Sequence, residues 1–241
     1  AQLPPFVKMA ADTQYNKAGK FHRFLLGENS RKVWATPLDF PVLDLKTAKG
    51  GLKILQRGGG KQTHSLRLED STGTEYAMRS LKKFPLAAVP EMLRETIARD
   101  VVQDQISAAN PYAPLAVGVL AEAAGVPHTN PSFVYLPADT SLGVYANDYG
   151  NEVFLFEERE PFTGDKHKTY NTPKVLEKIW GDNDAHVDQK SVLRARILDM
   201  YIMDFDRHDD QWRWYMERHH NDDYYYPVPR DRDQAFFLNS G

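Results

Sequence analysis

The chain has 241 residues, of which 41% are hydrophobic and 26% are charged, and this length and composition are typical of a globular protein with a buried core. Its formal net charge of −3, without a block of basic residues, does not favour binding to nucleic acid or to an anionic membrane. The absence of cysteine excludes disulfide bonds and thiolate metal sites, and no apolar run approaches the length of a membrane span.

The first 50 residues combine aromatic and basic residues with scattered prolines, and we expect an irregular leader that packs on the following residues. Within it, residues 21–26 and 32–35 are candidate strands. The chain begins at Ala1 without a charged and apolar signal segment, so we expect a mature product or an excised piece of a longer protein.

A three-stranded meander with a glycine-rich first turn is predicted next, from residues 52–55, 65–68 and 75–81. The third strand carries Arg79. The residues of the first turn are Gly58, Gly59, Gly60 and Lys61. Glycines allow backbone amides to approach phosphates closely, but such a turn also occurs as a flexible hairpin tip, and a lone arginine as a solvated strand residue.

Two helices and two strands are predicted after the meander. Residues 90–109 carry a helical apolar stripe, and residues 115–124 form a shorter helix that ends before Gly125. The strands are predicted at residues 132–136 and 152–157. Three acids flank the first helical stripe, and each is a candidate ion-pair partner of the arginine in the third strand: Glu95, Asp100 and Asp104.

A change from strand-rich to helix-rich pattern at residues 157–160 indicates a hinge between two lobes. Residues 161–188 are polar and contain Gly and Pro, so they are interpreted as a variable connection. Residues 191–203 then carry an apolar helical stripe: Val192, Leu193, Ile197, Leu198, Tyr201 and Ile202.

The most informative stretch follows that helix and consists of two acidic motifs, at residues 206–211 and 230–233. Residues 212–228 between them predict a hairpin whose turn is centred at position 221. Gln211 and Asp231 lie equally far from that centre, so the hairpin brings them together. Carboxylate and amide oxygens suit Mg²⁺, which proteins usually hold with one or two carboxylates and substrate phosphates.

In this order the elements resemble the protein-kinase-like fold, an α+β fold with two lobes. The resemblance is closest to the atypical branch that contains the spore-coat-type (CotH-like), secretory-pathway and persistence-toxin kinases. In that branch the catalytic loop reads Asp-x-His-x-x-Asn, and Asp206, His208 and Gln211 occupy those places. The resemblance implies a strand-rich lobe at residues 51–160 and the start of a helical, truncated lobe at residues 161–241.

The resemblance also implies roles for individual residues. Asp206, with His208 in the same loop, corresponds to the catalytic base that orients the acceptor hydroxyl, and Gln211 to the metal-binding amide. Asp231 corresponds to the metal-binding acid, with Asp233 as a second ligand. Arg79 occupies the place of a phosphate-binding lysine. The implied cofactors are ATP and Mg²⁺, and the implied nucleotide site consists of Gly58, Gly59, Gly60, Lys61, Arg79, Asp104 and Glu157.

Two departures from the kinase pattern indicate altered chemistry or a degenerate pseudokinase. Arg79 replaces lysine, and a guanidinium differs from an ammonium in size and geometry. Gln211 replaces asparagine and adds a methylene beside a metal that requires near-octahedral geometry. A kinase-shaped scaffold, which binds nucleotide or nothing and links neighbouring domains, is therefore an open alternative.

Two further alternatives concern the acidic loop. In one, Asp206, Asp209 and Asp210 form a solvated structural loop whose charge is neutralised by Arg207, Arg213, Arg230 and Arg232. In the other, His208, Asp209, His219 and His220 hold a transition metal for phosphoester hydrolysis.

The chain is also similar to segments of Bacteroidetes envelope proteins beside calcineurin-like phosphoesterase and outer-membrane-barrel modules, which implies a place in the cell envelope or periplasm.

Overall fold

The computed structural model describes residues 3–58, 63–84, 97–160 and 169–238, without the side chains of residues 97 and 98. Its described helices are α1 (Lys20–Leu26), α2 (Arg31–Ala35), α3 (Ile97–Gln105), α4 (Ala113–Ala123), α5 (Ala146–Tyr149), α6 (Thr172–Gly181) and α7 (Gln189–Tyr201). Its described strands are β1 (Phe6–Met9), β2 (Leu38–Pro41), β3 (Lys53–Gly58), β4 (Ser65–Glu69), β5 (Glu75–Ser80), β6 (Ser132–Leu136), β7 (Glu152–Glu158), β8 (Tyr170–Asn171), β9 (Ala185–Val187), β10 (Trp212–His219) and β11 (Asp222–Pro229).

These elements form two compact units, each with helices and strands. The first unit comprises Ala1–Pro111, Pro131–Arg159 and Leu238–Gly241, and the second comprises Tyr112–Asn130 and Glu160–Phe237. The sequence predicts this α+β class, and the organisation is consistent with a two-lobed kinase-like fold. The units change at residues 159 and 160, where the sequence indicates a hinge, but residues 112–130 group with the second unit although the sequence analysis assigns them to the first lobe.

The core of the first unit lies on a five-stranded antiparallel sheet in the order β3-β4-β5-β7-β6. Alternating side chains such as Leu66 and Leu68 of β4, Met78 of β5 and Phe154 of β7 are fully buried, because successive residues of a strand point to opposite faces. The predicted meander and the two later strands are therefore confirmed. The predicted glycine-rich tip is described only to Gly58, since Gly59, Gly60 and Lys61 lie outside the described residues.

The leader contains regular elements instead of the expected irregular chain, and it belongs to the first unit, which agrees with the expected packing on the following residues. Strands β1 and β2 pair antiparallel, and the two candidate strands are instead the helices α1 and α2. Phe21, Phe24 and Leu25 recur at helical spacing, and Gly19 and Gly27 bound this short helix. The β propensity of phenylalanine misled the prediction, since the spacing of the apolar residues was the better guide.

A buried ion pair ties the leader to helix α3. The guanidinium of Arg31 is fully buried, and its two terminal nitrogens each donate to one oxygen of Asp104 at 2.6 Å. His22 Nε2 lies 2.8 Å from the same carboxylate. Burial alone would raise the pKa of Asp104, but the hydrogen bonds from the Arg31 guanidinium bring the pKa below its ordinary value. Because both oxygens of Asp104 bind Arg31 of the leader, this acid joins helix α3 to the leader.

The second unit contains a four-stranded sheet in the order β8-β10-β11-β9 together with α4, α6 and α7. The predicted shorter helix is confirmed as α4, and Gly125 follows it with a φ of 62°, which a glycine adopts without strain. Residues 169–188, within the stretch interpreted as a variable connection, contain the regular elements β8, α6 and β9. No helix of the described ranges is long and apolar enough to cross a membrane.

Helix α7 confirms the predicted helix before the acidic motifs, but the predicted apolar stripe is divided between two environments. Leu198 and Ile202 are buried in the core of the second unit. Leu193, Ile197 and Tyr201 are exposed instead. The apolar pattern therefore predicts the helix correctly but does not identify which face enters the core.

Replacing Asp104 by Asn should destabilise the chain by about 3–5 kcal/mol, because the change leaves the buried Arg31 guanidinium without a compensating charge. The free energy of unfolding from urea titrations measures this loss. Asp100→Asn on the same helix is the matched control, since Asp100 is exposed, and it should change the free energy by less than about 0.5 kcal/mol.

The loss should depend on pH with a defined sign. A carboxyl whose pKa is lowered on folding stabilises the folded state above its unfolded pKa of about 3.9, and the contribution disappears as the pH falls through the lower folded pKa. The difference between the wild type and Asp104→Asn should therefore narrow below about pH 4. If Asp104→Asn and Asp100→Asn change the free energy of unfolding equally at neutral pH, Asp104 does not have this structural role.

Candidate functional site

The two acidic motifs are brought together by the hairpin of β10 and β11. Its strands pair from Trp212 with Pro229 to His219 with Asp222, and His220 has a φ of 56°, as tight two-residue turns require. The register extends one step further, because Arg230 N donates to Gln211 O at 2.8 Å. The predicted hairpin is confirmed, but Gln211 faces Arg230 rather than Asp231, since the turn is centred between positions 220 and 221.

Gln211 links the end of the hairpin to the first acidic motif. Its Nε2 donates to Asp206 Oδ2 at 3.3 Å, and its backbone nitrogen donates to His208 O at 3.0 Å. The Oε1 of Gln211 is buried and accepts no hydrogen bond from a described residue. A buried acceptor without a partner costs about 1–3 kcal/mol, so this oxygen is available to a ligand.

The second acidic motif has an unusual backbone at its first acid. Asp231 has a φ of 57°, a left-handed conformation that is uncommon outside glycine but that aspartate adopts more often than most residues, and its side chain is exposed. Such strain costs about 1–3 kcal/mol and clusters at functional sites. The segment that follows is fixed to the end of α7 because Phe236 N donates to Ile202 O at 2.7 Å.

Below both motifs lies a buried cluster of charges centred on Asp199 of α7. Arg232 donates to Asp199 Oδ1 from Nε at 3.2 Å and from Nη2 at 3.0 Å. Arg207 Nε lies 3.2 Å from Asp199 Oδ2, and Arg207 also donates to Asp204 and to the carbonyl oxygen of Arg230. One carboxylate of the helix therefore holds an arginine from each acidic motif.

Burial sets the ionisation of this cluster. It raises the pKa of Asp204, against the lowering effect of the Arg207 guanidinium, and Asp233 contributes a smaller increase. It also lowers the pKa of Arg232, against the raising effect of Asp199. These opposing effects indicate that the ions are held in a poorly solvated interior, where geometry matters more than net attraction.

The contacts of the arginines can be compared with the interpretation of the motifs as an acidic loop whose charge arginines neutralise. Arg207 and Arg232 bind Asp199, and Arg213 donates to the oxygens of Thr169 instead. Among the described contacts, the carboxylate of Asp206 accepts only the hydrogen bond from Gln211. Three of the four arginines of that interpretation are thus used elsewhere, and Asp206 is left exposed beside the buried amide.

The interpretation as a histidine metal site has no geometric support in the described ranges. His219 ends β10, where its Nε2 lies 3.1 Å from the Tyr226 hydroxyl, and His220 lies in the turn. The eight-residue strand β10 separates both from His208, which is about 25 Å of extended chain. No group of three or more histidine or acidic side chains among the described residues is placed to hold a metal ion.

In the first unit, the sheet aligns two of the residues predicted to bind nucleotide. Gly58 pairs with Ser65, and Ser65 pairs with Arg79, so Gly58 and Arg79 lie in one row two strands apart, at about 10 Å. Arg79 forms an ion pair with Glu157 of β7, which lies diagonally across the strand pair. The guanidinium is partly exposed at this face.

The described acid partner of Arg79 is Glu157, whereas the sequence analysis considered three acids of the helix as candidates: Glu95, Asp100 and Asp104. Asp104 binds Arg31, so we no longer place it in the nucleotide site. Glu95 lies outside the described residues. Glu157, which the resemblance places in the nucleotide site, is the described partner.

Sequence analysis missed the buried cluster altogether. One signal of burial was available for Asp199. This acid lies between Leu198 and Met200, next to the buried apolar residues of α7. Asp204, Arg207 and Arg232 had no signal of burial, because charged residues next to acidic motifs are usually solvated.

Comparisons with known proteins give one structural similarity. No family model matches the chain, and no curated protein matches it. A crystal structure of the Helicobacter pylori proinflammatory kinase CtkA is similar, with a TM-score of 0.45 and 9% sequence identity. The similarity covers 83% of this chain and 63% of that chain, so the chain spans less than two thirds of the length of that kinase.

Replacing Asp199 by Asn should lower the free energy of unfolding by about 3–5 kcal/mol, because Arg207 and Arg232 then lose a shared buried counter-ion. Urea titration measures the change, and amide hydrogen exchange locates it. Faster exchange is expected in residues 204–211 and 230–236, since both segments lose an anchor. Asp210→Asn, an exposed acid of the same loop, is the control; equal exchange in the two variants would contradict the anchoring role.

Proposed function

We propose that the chain is an atypical kinase-like domain that catalyses Mg²⁺-dependent phosphoryl transfer from ATP. The observation that carries this proposal is the buried, unpartnered Oε1 of Gln211 beside the Asp206 carboxylate, with the strained Asp231 one residue beyond the Gln211–Arg230 hydrogen bond. The position of these residues also agrees with the resemblance of the loop to the spore-coat-type kinases.

The donor set of this site fits Mg²⁺. The amide oxygen of Gln211 and the carboxylate of Asp231 are hard oxygen ligands, and Asp233 is the candidate for a second carboxylate. Protein groups alone do not complete a coordination sphere among the described residues, which is usual for Mg²⁺, because nucleotide phosphates and water normally supply the other ligands. The bound metal would neutralise the charge of the transferred phosphoryl group.

Asp206 is proposed to orient the acceptor and to take its proton. Its exposed carboxylate is held by the Gln211 amide, which leaves oxygen lone pairs for an acceptor hydroxyl. As the hydroxyl oxygen forms a bond to the γ-phosphorus, the bond from that phosphorus to the β–γ bridging oxygen breaks, ADP leaves, and the hydroxyl proton passes to Asp206. Positioning contributes most of the rate in such a reaction, since the protein forms no covalent intermediate.

In the first unit, Arg79 is the proposed phosphate-binding cation. Its ion pair with Glu157 fixes the guanidinium, which has five donors and suits phosphate oxygens. The glycines and Lys61 of the tip remain part of this proposal as the backbone that covers the phosphates.

A nucleotide-binding scaffold without turnover is the second candidate function. The replacement of asparagine by Gln211 and of lysine by Arg79 favours it, as both alter groups that contact metal or phosphate. A place beside other domains of an envelope protein belongs to this candidate, and it rests on the sequence resemblance.

The first test is thermal denaturation of the chain with ATP and Mg²⁺. A ligand that binds only the folded state stabilises it by about 2.7 kcal/mol at a hundredfold excess over its Kd, so the midpoint should rise by about 5–10 °C. The rise should require the metal and should be absent in Asp231→Asn, whereas the control Asp210→Asn should retain it. No rise in the wild type at millimolar nucleotide would overturn the proposal; a rise without phosphoryl transfer to any acceptor would favour the scaffold.

Replacing Gln211 by Leu should remove the metal dependence without unfolding the chain. Leucine fills a similar volume and eliminates the buried unpartnered oxygen, so the free energy of unfolding without ligand should stay constant or rise. The Mg²⁺-dependent part of the thermal shift should disappear. If Gln211→Leu binds Mg²⁺ and ATP as the wild type does, the amide is not a metal ligand.

A further inference from the structure

Helix α7 carries apolar side chains on two opposite faces, which a helix at a protein surface does not normally do. Ala195, Leu198 and Ile202 face the core of the second unit. Leu193, Ile197 and Tyr201, spaced by four residues, form an outer ridge and are 61%, 57% and 74% exposed. Large exposed apolar patches mark interaction sites, so the outer ridge indicates a surface that a partner covers.

The outer ridge borders a groove rather than a flat surface. The opposite wall consists of Leu120 and Ala123 of α4 and of Ala124 directly after it, and the cavity between the two helices has a volume of about 550 Å³. Alanines on one wall and large side chains on the other leave a trough. Its lining on α7 extends from Lys190 to Tyr201, about 17 Å along the helix axis, and its opposite wall is the last turn of α4.

One end of the groove is positively charged. Lys190 and Arg194 line it, and its lining contains no acid. Arg194 reaches the chain just after α4, since its Nη1 lies 3.7 Å from the position of a Cβ at Gly125. Asp188 at the N-cap of α7 interacts electrostatically with both cations, but neither forms an ion pair with a carboxylate of a described residue, so both can also attract carboxylates of a partner.

We propose that this groove binds an amphipathic helix of another protein, which carries apolar residues at positions i, i+3, i+4 and i+7 and carboxylates beside them. The apolar side chains would fill the trough against Leu193, Ile197 and Tyr201, and the carboxylates would pair with Lys190 and Arg194. Charge complementarity selects an acidic partner and sets its orientation, because the two cations lie at one end only.

Helix α6 of a second copy is a poorer match for the groove. It exposes Leu176 and Trp180, but it carries Lys174 and Lys178 against one acid, Glu177. A helix with this charge would repel Lys190 and Arg194. The proposed acidic helix is therefore not α6 of a second copy, and the proposal is independent of the metal and nucleotide site.

The test uses two synthetic helical peptides with the same leucine stripe, one with glutamates and one with lysines beside it. Fluorescence anisotropy of the labelled peptides with the wild-type chain should show that the glutamate peptide binds at least about fivefold more tightly, as two exposed ion pairs predict. The double variant Lys190→Glu/Arg194→Glu should reverse this preference. Equal binding of both peptides, or no binding of the glutamate peptide, would overturn the proposal.

A matched pair of variants tests the position. Ile197→Asp in the groove should abolish binding of the glutamate peptide, whereas Val119→Asp, an exposed apolar residue of α4 outside the groove, should not. Circular dichroism should show that both fold, since both positions are exposed. Sedimentation gives the remaining outcome: a dimer of the wild-type chain that Ile197→Asp dissociates would overturn the proposal in favour of self-association.

Discussion

The geometry of the acidic motifs depends on one buried carboxylate. Asp199 receives Arg207 from the first motif and Arg232 from the second, so two segments separated by an 18-residue hairpin share a counter-ion. A buried ion cluster adds little net stability, because desolvation of the ions offsets their attraction. It is specific, however, since a displaced arginine would leave a charge unpaired in the interior. The cluster therefore fixes where the motifs lie more than how stable the unit is.

This constraint separates structural from reactive charges within each motif. In both, the arginine points inward to Asp199, while its preceding acid, Asp206 or Asp231, remains exposed. In each pair the arginine side chain is buried and the acid before it is exposed, so the two side chains lie on different sides of the chain. The arginines next to the acids thus bind Asp199 in the interior, which a count of charges in the sequence does not reveal.

Local patterns predicted the fold well where neighbouring residues determine the structure. The meander, the strands β6 and β7 and the hairpin of β10 and β11 follow from alternation and turn residues, which act over a few positions. The prediction failed for α1, where propensity opposed spacing, and for the outer face of α7, where both faces are apolar. Asp199 and Arg31 were missed because burial of a charge depends on partners far away in the chain, and no local pattern records them.

A bound ligand would account for two features of the candidate site. A structural loop is expected to satisfy its buried polar atoms and to relax its backbone, since nothing opposes either change. Gln211 Oε1 has no described partner although a leucine of similar volume would avoid that loss, and Asp231 keeps a left-handed backbone where glycine would be unstrained. The two unfavourable features lie on adjoining segments that Asp199 holds together through Arg207 and Arg232. A metal bound by that amide and that carboxylate would give both features a physical reason.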